Sequence, residues 1–383
     1  MISAASAAVA EASGLASAYV HIPFCARICP YCDFTVVAGR DDVVNRYISA
    51  LRREIAESAP WRPLDAVFVG GGTPSRVGAD RLGGLLEEIR GRHGIAIDAE
   101  VTLEANPEDV DLVGARALVA AGFTRISLGV QSFDDEVLAD LGRVHDAERA
   151  VAAVGAALAA GFGSVSVDLI FGSPAESDSS WLASLRTAVD LEPHHVSTYA
   201  LTVEPGTVLW KEVRHGASEP DADVQADRWD MAVSVLTAAG YERYEVSNHA
   251  RVGHHCRYNA AVWAHAEYLA FGLGAHGYRN GVRTVNVRRL DTYLDRVERG
   301  MGPVQASEEV GGWAAEQERL LVGLRRTAGA VLGEGGIELL RSDWGRRLVD
   351  HGVVAEVDDR LVVTRPLLTD EVLRAILALE PPA

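Results

Sequence analysis

Between residues 18 and 205 the sequence alternates short apolar strand patterns with longer helical patterns. Six segments have the length and the β-branched character of buried strands, and apolar residues at helical spacing lie between them. The predicted strands are residues 18–23, 65–70, 100–106, 125–131, 164–172 and 195–202. This alternation predicts an α/β fold whose βαβ units build a parallel sheet, either open or curved into a barrel.

Polar or glycine residues lie at or just past the C-terminal ends of successive predicted strands. They are Cys25, the run Gly70–Gly72, Glu104, Gln131 and Asp168. In β/α barrels the loops at that end of the strands carry the active site. Five such positions in succession therefore predict one shared pocket.

The bulk composition describes a large, acidic, globular protein. The chain has 383 residues, is 48% hydrophobic and carries a formal net charge of −18. Nucleic-acid binding needs clustered Lys and Arg, so this charge argues against a nucleic acid as partner. No apolar run approaches the ~18 residues of a membrane span, and residues 1–17 lack the pattern of a signal peptide. We therefore expect a cytoplasmic protein whose residues 1–17 form a disordered tail.

The regular alternation of strand and helix patterns ends after the last predicted strand. We expect residues 18–240 to form the barrel domain, and residues 241–300, rich in His, Gly and aromatic residues, to form a connecting segment. Residues 301–383 are expected to form a smaller C-terminal α/β module in which a hairpin is followed by a helix.

Three of the four cysteines, Cys25, Cys29 and Cys32, are bunched at C-x₃-C-x₂-C spacing. Clustered thiols in a chain of this size are typical of metal or redox ligands in a reducing compartment rather than of a disulfide framework. One interpretation is a structural zinc site completed by His21 or Cys256. The other is a [4Fe–4S] cluster held by three thiolates, which leaves one iron open to an exogenous ligand.

Further motifs follow the cysteines in a fixed order. They are FVGGGTPS (68–75), LEANPE (103–108), RISLGVQSF (125–133), LGRVHD (141–146), SVDLIFGSP (166–174), YEVSNHA (244–250) and FGLGAHGY (271–278). Together with YVHIPFC at residues 19–25, this order resembles the radical S-adenosylmethionine (SAM) superfamily. Within it, the chain is similar to the branch of oxygen-independent coproporphyrinogen III oxidases and their relatives, over roughly residues 18–380.

The resemblance implies a partial (β/α)₆ TIM-like barrel that holds two cofactors. It implies that Cys25, Cys29 and Cys32 bind a [4Fe–4S] cluster whose open iron binds SAM. An electron donor to the cluster would then permit cleavage of SAM to a 5′-deoxyadenosyl radical. The SAM-contact positions that it implies are Tyr19, Tyr31, Gly71, Gly72, Thr73, Glu104, Gln131, Arg143 and Asp168.

One position separates the oxidases from their relatives. The oxidases of this branch have a further cysteine two residues after the third, where this chain has Phe34. The chain also lacks the well-formed N-terminal segment of those oxidases. Both departures resemble the heme chaperones of the HemW type, which are thought to bind heme and SAM and to pass heme to acceptor proteins.

The heme chaperones are associated with an H-N-x-x-Y-W motif that is altered in this chain. The matching segment is YNAAVW, in which Tyr258 replaces the histidine while Asn259 and Trp263 are retained. Tyrosine can ligate heme iron, so this segment stays a candidate for heme binding. Nearby alternatives for the axial ligand are His249, His254, His255, Cys256 and His265.

The sequence therefore leaves three candidate functions. The first is a heme chaperone that delivers heme to an acceptor protein, for which respiratory proteins are one candidate class, and that can form a homodimer. The second is an active radical SAM enzyme, either an oxidase or an oxidase-like methyltransferase. The third is a zinc or redox module without catalysis.

Overall fold

The computed structural model describes residues 11–382 of the protein. Its β-strands are β1 (Ser17–Ile22), β2 (Phe24–Cys25), β3 (Val37–Ala38), β4 (Leu64–Gly71), β5 (Ile95–Ala105), β6 (Arg125–Gln131), β7 (Ser164–Phe171), β8 (His195–Ala200), β9 (Glu242–Arg243), β10 (Asn248–Ala250), β11 (Tyr268–Phe271), β12 (His276–Arg279), β13 (Val282–Asn286), β14 (Val304–Glu309), β15 (Ala330–Val331), β16 (Val354–Val357) and β17 (Arg360–Val363).

The helices lie mainly between the strands of the first half of the chain and in the C-terminal part. The α-helices are α1 (Val44–Glu57), α2 (Ala79–Arg92), α3 (Leu112–Ala120), α4 (Asp135–Asp140), α5 (Ala147–Ala160), α6 (Asp178–Asp190), α7 (Val208–Arg214), α8 (Ala222–Ala238), α9 (Arg257–Trp263), α10 (Leu290–Glu298), α11 (Gly312–Gly323), α12 (Gly333–Arg341), α13 (Asp343–Asp350) and α14 (Thr369–Leu377). Between residues 11 and 382, no helix combines the length and the apolar character that a membrane span requires.

One large sheet runs through the main body of the protein. Its strand order is β14-β13-β12-β11-β1-β4-β5-β6-β7-β8-β10-β9. Strands β1 and β4 to β8 are parallel neighbours in chain order, and helices connect them. This arrangement confirms the predicted α/β fold of six βα units. Within the described residues the edge strands β14 and β9 do not pair with each other, so the barrel is partial.

Helices cover the outer face of the parallel strands and form the main core with it. Val67 and Val69 of β4 are buried in one cluster with Leu51 and Ile55 of α1 and with Leu82 of α2. The spacing of four between the two α1 residues places both on the helix face that meets the sheet. Burial of each such side chain stabilises the fold by roughly 1.5–3 kcal/mol.

The segment predicted to connect two domains is part of the large sheet. Strands β9 and β10 extend the sheet at one edge, while β11 pairs in parallel with β1. Strand β14, which lies inside the predicted C-terminal module, pairs with β13. Residues 241–300 and the first residues after 300 therefore belong to the barrel unit, because backbone hydrogen bonding rather than composition decides which strands share a sheet.

A smaller α/β unit follows and has a core of its own. Its three-stranded sheet has the order β15-β17-β16. Its buried core residues include Leu320, Leu339, Leu361, Val372 and Ile376. Asp358 and Asp359 have positive φ angles and join β16 to β17 by a two-residue turn, the geometry that matches the twist of a tight hairpin. The predicted hairpin followed by a helix is therefore present, the helix being α14.

Residues 11–17, which were expected to belong to a disordered tail, have a defined backbone structure. Residues 1–10 lie outside the described part of the chain, but Glu11–Gly14 form a 3-10 helix and β1 begins at Ser17. The Ala16 N–H donates to a carboxylate oxygen of Asp65 at 2.7 Å, and Ala16 is fully buried. Residues 11–17 are thus ordered, because they complete the entry into the sheet.

A buried carboxyl group joins α1 to the loop that follows β11. Glu54 accepts hydrogen bonds from the Gly272 N–H (2.9 Å), the Tyr293 hydroxyl (2.5 Å) and the Asn286 amide (2.8 Å). Burial raises the pKa of Glu54 to about 7, although the three donors favour the charged form and limit the rise.

We expect Glu54→Gln to reduce the pH dependence of stability. A carboxyl whose pKa is raised in the folded state stabilises the fold at low pH. That contribution is lost as the pH rises from about 4.5 toward 7 and above. Between pH 5.5 and 7.5 the wild-type free energy of unfolding should fall by roughly 1–2 kcal/mol more than that of the variant. Denaturant unfolding at both pH values measures this difference.

The control is Glu57→Gln on the same helix, because Glu57 is exposed and pairs with Arg53 at the surface. It should leave the pH dependence unchanged. Equal slopes for the wild type and Glu54→Gln would show that Glu54 does not titrate in this range.

Candidate cofactor site

A cavity of about 400 Å³ opens at the C-terminal ends of the parallel strands. It is lined by the cysteine-containing loop after β1 and by the ends of β4 to β8, and we call it the cofactor cavity. The predicted site residues that line it are Cys25, Tyr31, Cys29, Cys32, Gly71, Gly72, Thr73, Glu104, Gln131, Arg143 and Asp168. The structure thus brings together every residue predicted to bind the cluster or SAM except Tyr19.

The cysteine loop is fixed to the barrel by backbone hydrogen bonds on both sides. The Gly72 N–H donates to the Ile22 carbonyl and the Thr73 N–H donates to the Phe24 carbonyl, each at 2.8 Å. Strand β2, which ends at Cys25, also pairs in parallel with β3, which follows the loop. The loop between β2 and β3 therefore leaves and rejoins the barrel at one place, with the three thiols facing the cavity.

The three thiols of the loop are free and partly exposed to the cavity. A guanidinium nitrogen of Arg143 lies 3.4 Å from the Cys29 sulfur, and the Thr73 hydroxyl lies 3.6 Å from the Cys25 sulfur. Burial raises the pKa of the Cys25 thiol, and it raises that of Cys32 to about 11. A cation is therefore needed to hold these groups as thiolates, since ligation of a metal by cysteine requires the deprotonated form.

The donor set fits an iron–sulfur cluster better than a single zinc ion. In the described part of the chain, no three Cys, His, Asp or Glu side chains are close enough together to hold one metal ion. In a cluster each thiolate binds a different iron, so its ligands surround a cavity rather than one point. Three thiols around a cavity, with hydrogen-bond donors beside two of them, match that requirement.

Neither proposed fourth zinc ligand is directed to the thiols. The His21 Nε2–H donates to the Thr35 carbonyl at 2.7 Å, so Nδ1 accepts from the Tyr19 hydroxyl at 3.0 Å. Cys256 is buried at the N-terminal end of α9 and does not line the cofactor cavity. Both imidazole nitrogens of His21 are therefore in use, and the zinc interpretation loses its two candidate ligands.

The glycine run at the end of β4 brings its backbone against two neighbours. Gly71 has a φ of +111°, and a Cβ there would overlap the His21 imidazole ring. A Cβ on Gly72 would lie 2.7 Å from the Pro23 carbonyl carbon. Only glycine fits the left-handed backbone and the close approach together, which leaves this stretch of backbone open toward the cavity.

Two buried carboxyl groups face the cavity from the ends of β5 and β7. Glu104 accepts from the Gly71 N–H at 2.9 Å, and burial raises its pKa to about 7. Asp168 accepts hydrogen bonds from the hydroxyls of Ser127 (2.9 Å), Ser166 (3.1 Å) and Ser197 (2.7 Å). Burial also raises the pKa of Asp168. Neither carboxyl is paired with a cation within the described residues, so both can accept from an ammonium or hydroxyl group of a ligand.

Arg143 lies between the cluster loop and the end of β6. Its guanidinium donates to the Asn106 side-chain oxygen (2.5 Å) and to the Gly129 carbonyl (3.0 Å). Burial acts to lower the pKa of Arg143, but the neighbouring Tyr31 and Cys29 outweigh it and raise the pKa. The side chain is therefore a fixed positive charge, suited to a ligand carboxylate or to the negative charge of a thiolate cluster.

Asn106 is a site residue that the sequence interpretation missed. Its amide donates to the Thr73 hydroxyl at 3.0 Å while its oxygen accepts from Arg143, so it links two predicted SAM-contact positions. It lies just past the end of β5, two residues after Glu104. The rule that found Glu104, a polar residue at a strand end, applies to Asn106 as well.

Tyr19, a predicted SAM-contact position, is not among the residues that line the cofactor cavity, and its contact with SAM stays a prediction. Its ring packs inside the barrel at 6.2 Å from Phe68 and 6.1 Å from Tyr258, measured between ring centroids. Tyr19 lies three residues before the end of β1, so the strand places it one layer below the cavity. Its hydroxyl donates to His21, and burial together with Glu104 of the cavity raises the pKa of Tyr19.

The predicted heme segment forms the short helix α9 and lies away from the cofactor cavity. Tyr258 packs in the barrel interior, with ring centroids 5.1 Å from Phe68 and 6.1 Å from Tyr268. Trp263 faces the C-terminal unit, where the Arg325 guanidinium lies 5.6 Å from its ring centroid. Asn259 is half-buried. The three residues therefore do not converge on one pocket.

The alternative ligands around α9 have different surroundings. His249 is completely buried, and His265 lies 3.5 Å from a carboxylate oxygen of Glu318. His254 and His255 line a second cavity of the barrel, and Cys256 is buried beside them.

Comparisons with known proteins agree with the fold and with the superfamily that the motifs indicate. A model of the radical SAM superfamily matches residues 19–188. The heme chaperone HemW of Mycobacterium tuberculosis is 41% identical over 371 residues, which cover 94% of each chain. HemW of Bacillus subtilis is 36% identical, covering 82% of this chain and 84% of its own. The solved structure of the coproporphyrinogen III oxidase HemN of Escherichia coli, a radical SAM enzyme, matches this chain with a TM-score of 0.81. The match covers 97% of this chain and 92% of that chain at 22% sequence identity, which shows a shared fold.

We expect Gly71→Ala to destabilise the protein by about 2–4 kcal/mol and to abolish SAM binding. The added methyl group would strain a left-handed backbone and displace His21, which shares hydrogen bonds with the cluster loop. Thermal unfolding and equilibrium SAM binding to the reconstituted protein measure the two effects.

The matched control is Gly91→Ala in α2, where a Cβ meets nothing within 4 Å. This variant should be as stable as the wild type or more stable by up to ~1 kcal/mol, since alanine favours a helix. A Gly71→Ala protein that binds SAM normally would contradict the role of the glycine run.

Proposed function

Because this chain belongs to the HemW family of the radical SAM superfamily, we propose that it is a heme chaperone. It binds a [4Fe–4S] cluster, SAM and heme, and it delivers heme to acceptor proteins without oxidising coproporphyrinogen III. The observation that carries this proposal is Phe34, which lies at the cavity rim where the oxidases of the branch keep a further cysteine. Its side chain is exposed, so no sulfur ligand is available at that position.

In this proposal the cofactor cavity holds the cluster and SAM side by side. Cys25, Cys29 and Cys32 bind the cluster, and Thr73 and Arg143 donate toward its sulfur ligands. A cluster of this kind supplies single electrons to bound SAM when it is in place.

The remaining residues of the cavity bind and orient SAM. The open backbone at Gly71 and Gly72 accommodates its methionine part, and Glu104 accepts from its ammonium or ribose groups. Asp168 and Gln131 accept from or donate to the rest of the molecule, and Gln131 projects from a left-handed backbone (φ +68°) at the end of β6. Burial excludes water from these groups, which strengthens each of the interactions.

Heme, its acceptor and an electron donor are the partners in this proposal. The family relationship supports heme as the ligand, and a respiratory protein is one candidate class of acceptor. We propose a cytoplasmic protein that can form a homodimer. In this proposal helix α9, with Tyr258, Asn259 and Trp263, belongs to the heme-binding region.

An active radical SAM enzyme is the second candidate function. The specific observation in its favour is the complete cavity, in which Glu104, Asp168 and Arg143 are all present and oriented. Substrate-dependent formation of 5′-deoxyadenosine above the uncoupled background would support it.

We expect Cys29→Ala to prevent assembly of the cluster. After anaerobic reconstitution the wild type should contain ~4 iron and ~4 sulfide per chain and absorb broadly near ~400 nm, as expected for a [4Fe–4S] cluster. The variant should contain almost none, because one of three protein ligands is lost.

Cys256→Ala is the matched control for the cysteine variant. Cys256 is buried outside the cofactor cavity, so its replacement should leave iron and sulfide unchanged. Stoichiometric zinc in the wild type, or loss of metal from the control as well, would contradict the cluster assignment.

We expect the reconstituted wild type to bind heme but to have no oxidase activity. In an anaerobic titration we expect saturable binding of one heme per chain. In a parallel assay with SAM and a reductant we expect no conversion of coproporphyrinogen III, because Phe34 replaces the further cysteine. Turnover to protoporphyrinogen IX would overturn the proposal, and the HemN oxidase is the positive control for the assay.

A further inference from the structure

One side of the barrel interior is polar. Side chains two residues apart in a strand point to the same face, and the inward faces of β6, β7 and β8 carry charged or hydrogen-bonding groups instead of the branched apolar residues that usually fill a barrel. They are Arg125 and Ser127 of β6, Ser164, Ser166 and Asp168 of β7, and His195 and Ser197 of β8. All of them except Ser127 and Asp168, which line the cofactor cavity, are buried. Buried polar groups need an explanation, because their burial costs free energy unless each has a hydrogen-bond partner.

The register of the sheet directs three serine hydroxyls at Asp168. Ser166 of β7 pairs with Ser127 of β6, and Asp168 pairs with Ser197 of β8. The Oδ1 atom of the carboxyl accepts from Ser197 at 2.7 Å and from Ser166 and Ser127 at 3.1 Å. Within the described residues the Oδ2 atom accepts from Ser127 alone, at 2.9 Å. Each carboxylate oxygen has about two lone pairs, so Oδ2 is the atom with capacity left for a donor of a bound ligand.

One of the three serines leads to a hydrogen-bonded chain behind the cavity. The Ser166 oxygen lies 2.8 Å from Nδ1 of His195, the residue paired with it on β8. The Nε2 of His195 lies 2.8 Å from the Tyr244 hydroxyl, which accepts from the Cys256 N–H at 3.3 Å. Ser166, His195 and Tyr244 are buried, and none of them lines the cofactor cavity. Their nearest route to a ligand in that cavity is therefore through Asp168.

The donor and the acceptor of each hydrogen bond in this chain follow from one another. Because the Ser166 hydroxyl donates to Asp168, its oxygen accepts from the Nδ1–H of His195. Burial lowers the pKa of His195 well below its usual range, so the imidazole is neutral and carries one proton. With that proton on Nδ1, Nε2 accepts from the Tyr244 hydroxyl. Every proton in the chain therefore points toward Asp168.

The chain and a neighbouring cation together favour the charged form of Asp168. Burial raises the pKa of this carboxyl, but the serine hydroxyls and the nearby Arg125 guanidinium act in the opposite direction. If the Nδ1 proton of His195 moved to Nε2, Nδ1 would become an acceptor, and the Ser166 hydroxyl could turn from Asp168 to the imidazole. Tyr244 prevents this change, because its hydroxyl donates to Nε2.

We propose that Tyr244, His195 and Ser166 position the Asp168 carboxylate for SAM, with Oδ2 left to accept from a hydroxyl or ammonium group of the cofactor. They are positioning residues of the SAM site, since each acts through Asp168. This inference rests on the proposed binding of SAM in the cofactor cavity and adds the residues that hold one of its acceptors in place. It also gives a role to the first residue of the motif YEVSNHA (244–250), which the cofactor cavity leaves unexplained.

The first test is equilibrium binding of SAM to the anaerobically reconstituted wild type and to Tyr244→Phe. Loss of the hydroxyl lets the His195 imidazole change its tautomer, so we expect the affinity for SAM to fall about three- to tenfold, the effect of one weakened hydrogen bond. The matched control is Tyr241→Phe, which removes another buried hydroxyl, one that donates to the Pro193 carbonyl at 2.6 Å and takes no part in the chain. It should bind SAM as the wild type does. Iron content and thermal unfolding are measured for both variants.

A double-mutant cycle separates positioning from a general loss of stability. Ser166→Ala should weaken SAM binding by a similar factor, because Asp168 loses the hydroxyl that the chain directs at it. In the Ser166→Ala protein, Tyr244→Phe should cause no further loss of affinity, since the link between Tyr244 and Asp168 is already broken. Independent structural effects would instead add in free energy, so the two losses of affinity would multiply.

Two amide variants of His195 test the direction of the chain and decide the question if Tyr244→Phe does not fold. The amide nitrogen of asparagine takes the place of Nδ1, so His195→Asn keeps a donor to Ser166 and should bind SAM within about threefold of the wild type. The longer side chain of His195→Gln places its amide near Nε2 instead. This variant should lose as much affinity as Ser166→Ala.

The outcomes distinguish this inference from the function on which it rests. If the wild type with an intact cluster does not bind SAM, the proposed SAM site fails and the inference fails with it. If the wild type binds SAM and Tyr244→Phe binds it equally well, the SAM site stands and the positioning role is overturned. Losses that multiply in the cycle, or a His195→Asn protein that binds no better than His195→Gln, would also overturn the positioning role.

Discussion

The cofactor site depends on a contact between two stretches of backbone that leaves no space for side chains. The end of β1 and the run Gly70–Gly72 at the end of β4 meet so closely that a Cβ on Gly72 would lie 2.7 Å from the Pro23 carbonyl carbon. The Gly72 N–H donates to the Ile22 carbonyl across this contact. Since Cys25 follows only three residues after Ile22, the contact sets where the first thiol lies relative to the strand ends. The cluster loop has little regular structure of its own and takes its position from this contact.

The charges of the site are held by neutral partners, and this leaves them available to ligands. Asp168 is surrounded by serine hydroxyls and Glu104 accepts from the Gly71 N–H, and within residues 11–382 neither carboxyl forms a salt bridge. Arg143 is likewise held by an amide and a carbonyl oxygen, and one of its guanidinium nitrogens lies 3.4 Å from the Cys29 sulfur. Opposite charges in one buried cavity would lose most of their value to ligands if they paired with each other. Here neutral side chains hold the charged groups instead: Asn106 accepts from Arg143, and three serine hydroxyls donate to Asp168.

The sequence predicts the sheet and most of the site because both follow from local patterns. Parallel strands end at one edge, so Glu104 and Asp168 share a cavity once the strands are located. Asn106 was missed because an Asn before Pro is equally typical of a turn. Tyr19 lies three residues before the end of β1, below the residues that line the cavity, and its contact with SAM stays a prediction. The domain boundaries depend on pairings such as β1 with β11, whose residues lie about 250 positions apart. No local pattern in the chain encodes a contact of that range.

Aromatic rings pack in the barrel interior between the cofactor cavity and helix α9. Tyr19, Phe68 and Tyr258 stack there with ring centroids 5.1–6.2 Å apart. Tyr258 is close enough to both Glu104 and Cys256 for each to raise its pKa, so it lies between the cofactor cavity and the N-terminal end of α9. A ligand bound in the cofactor cavity is therefore separated from helix α9 by a layer of aromatic side chains.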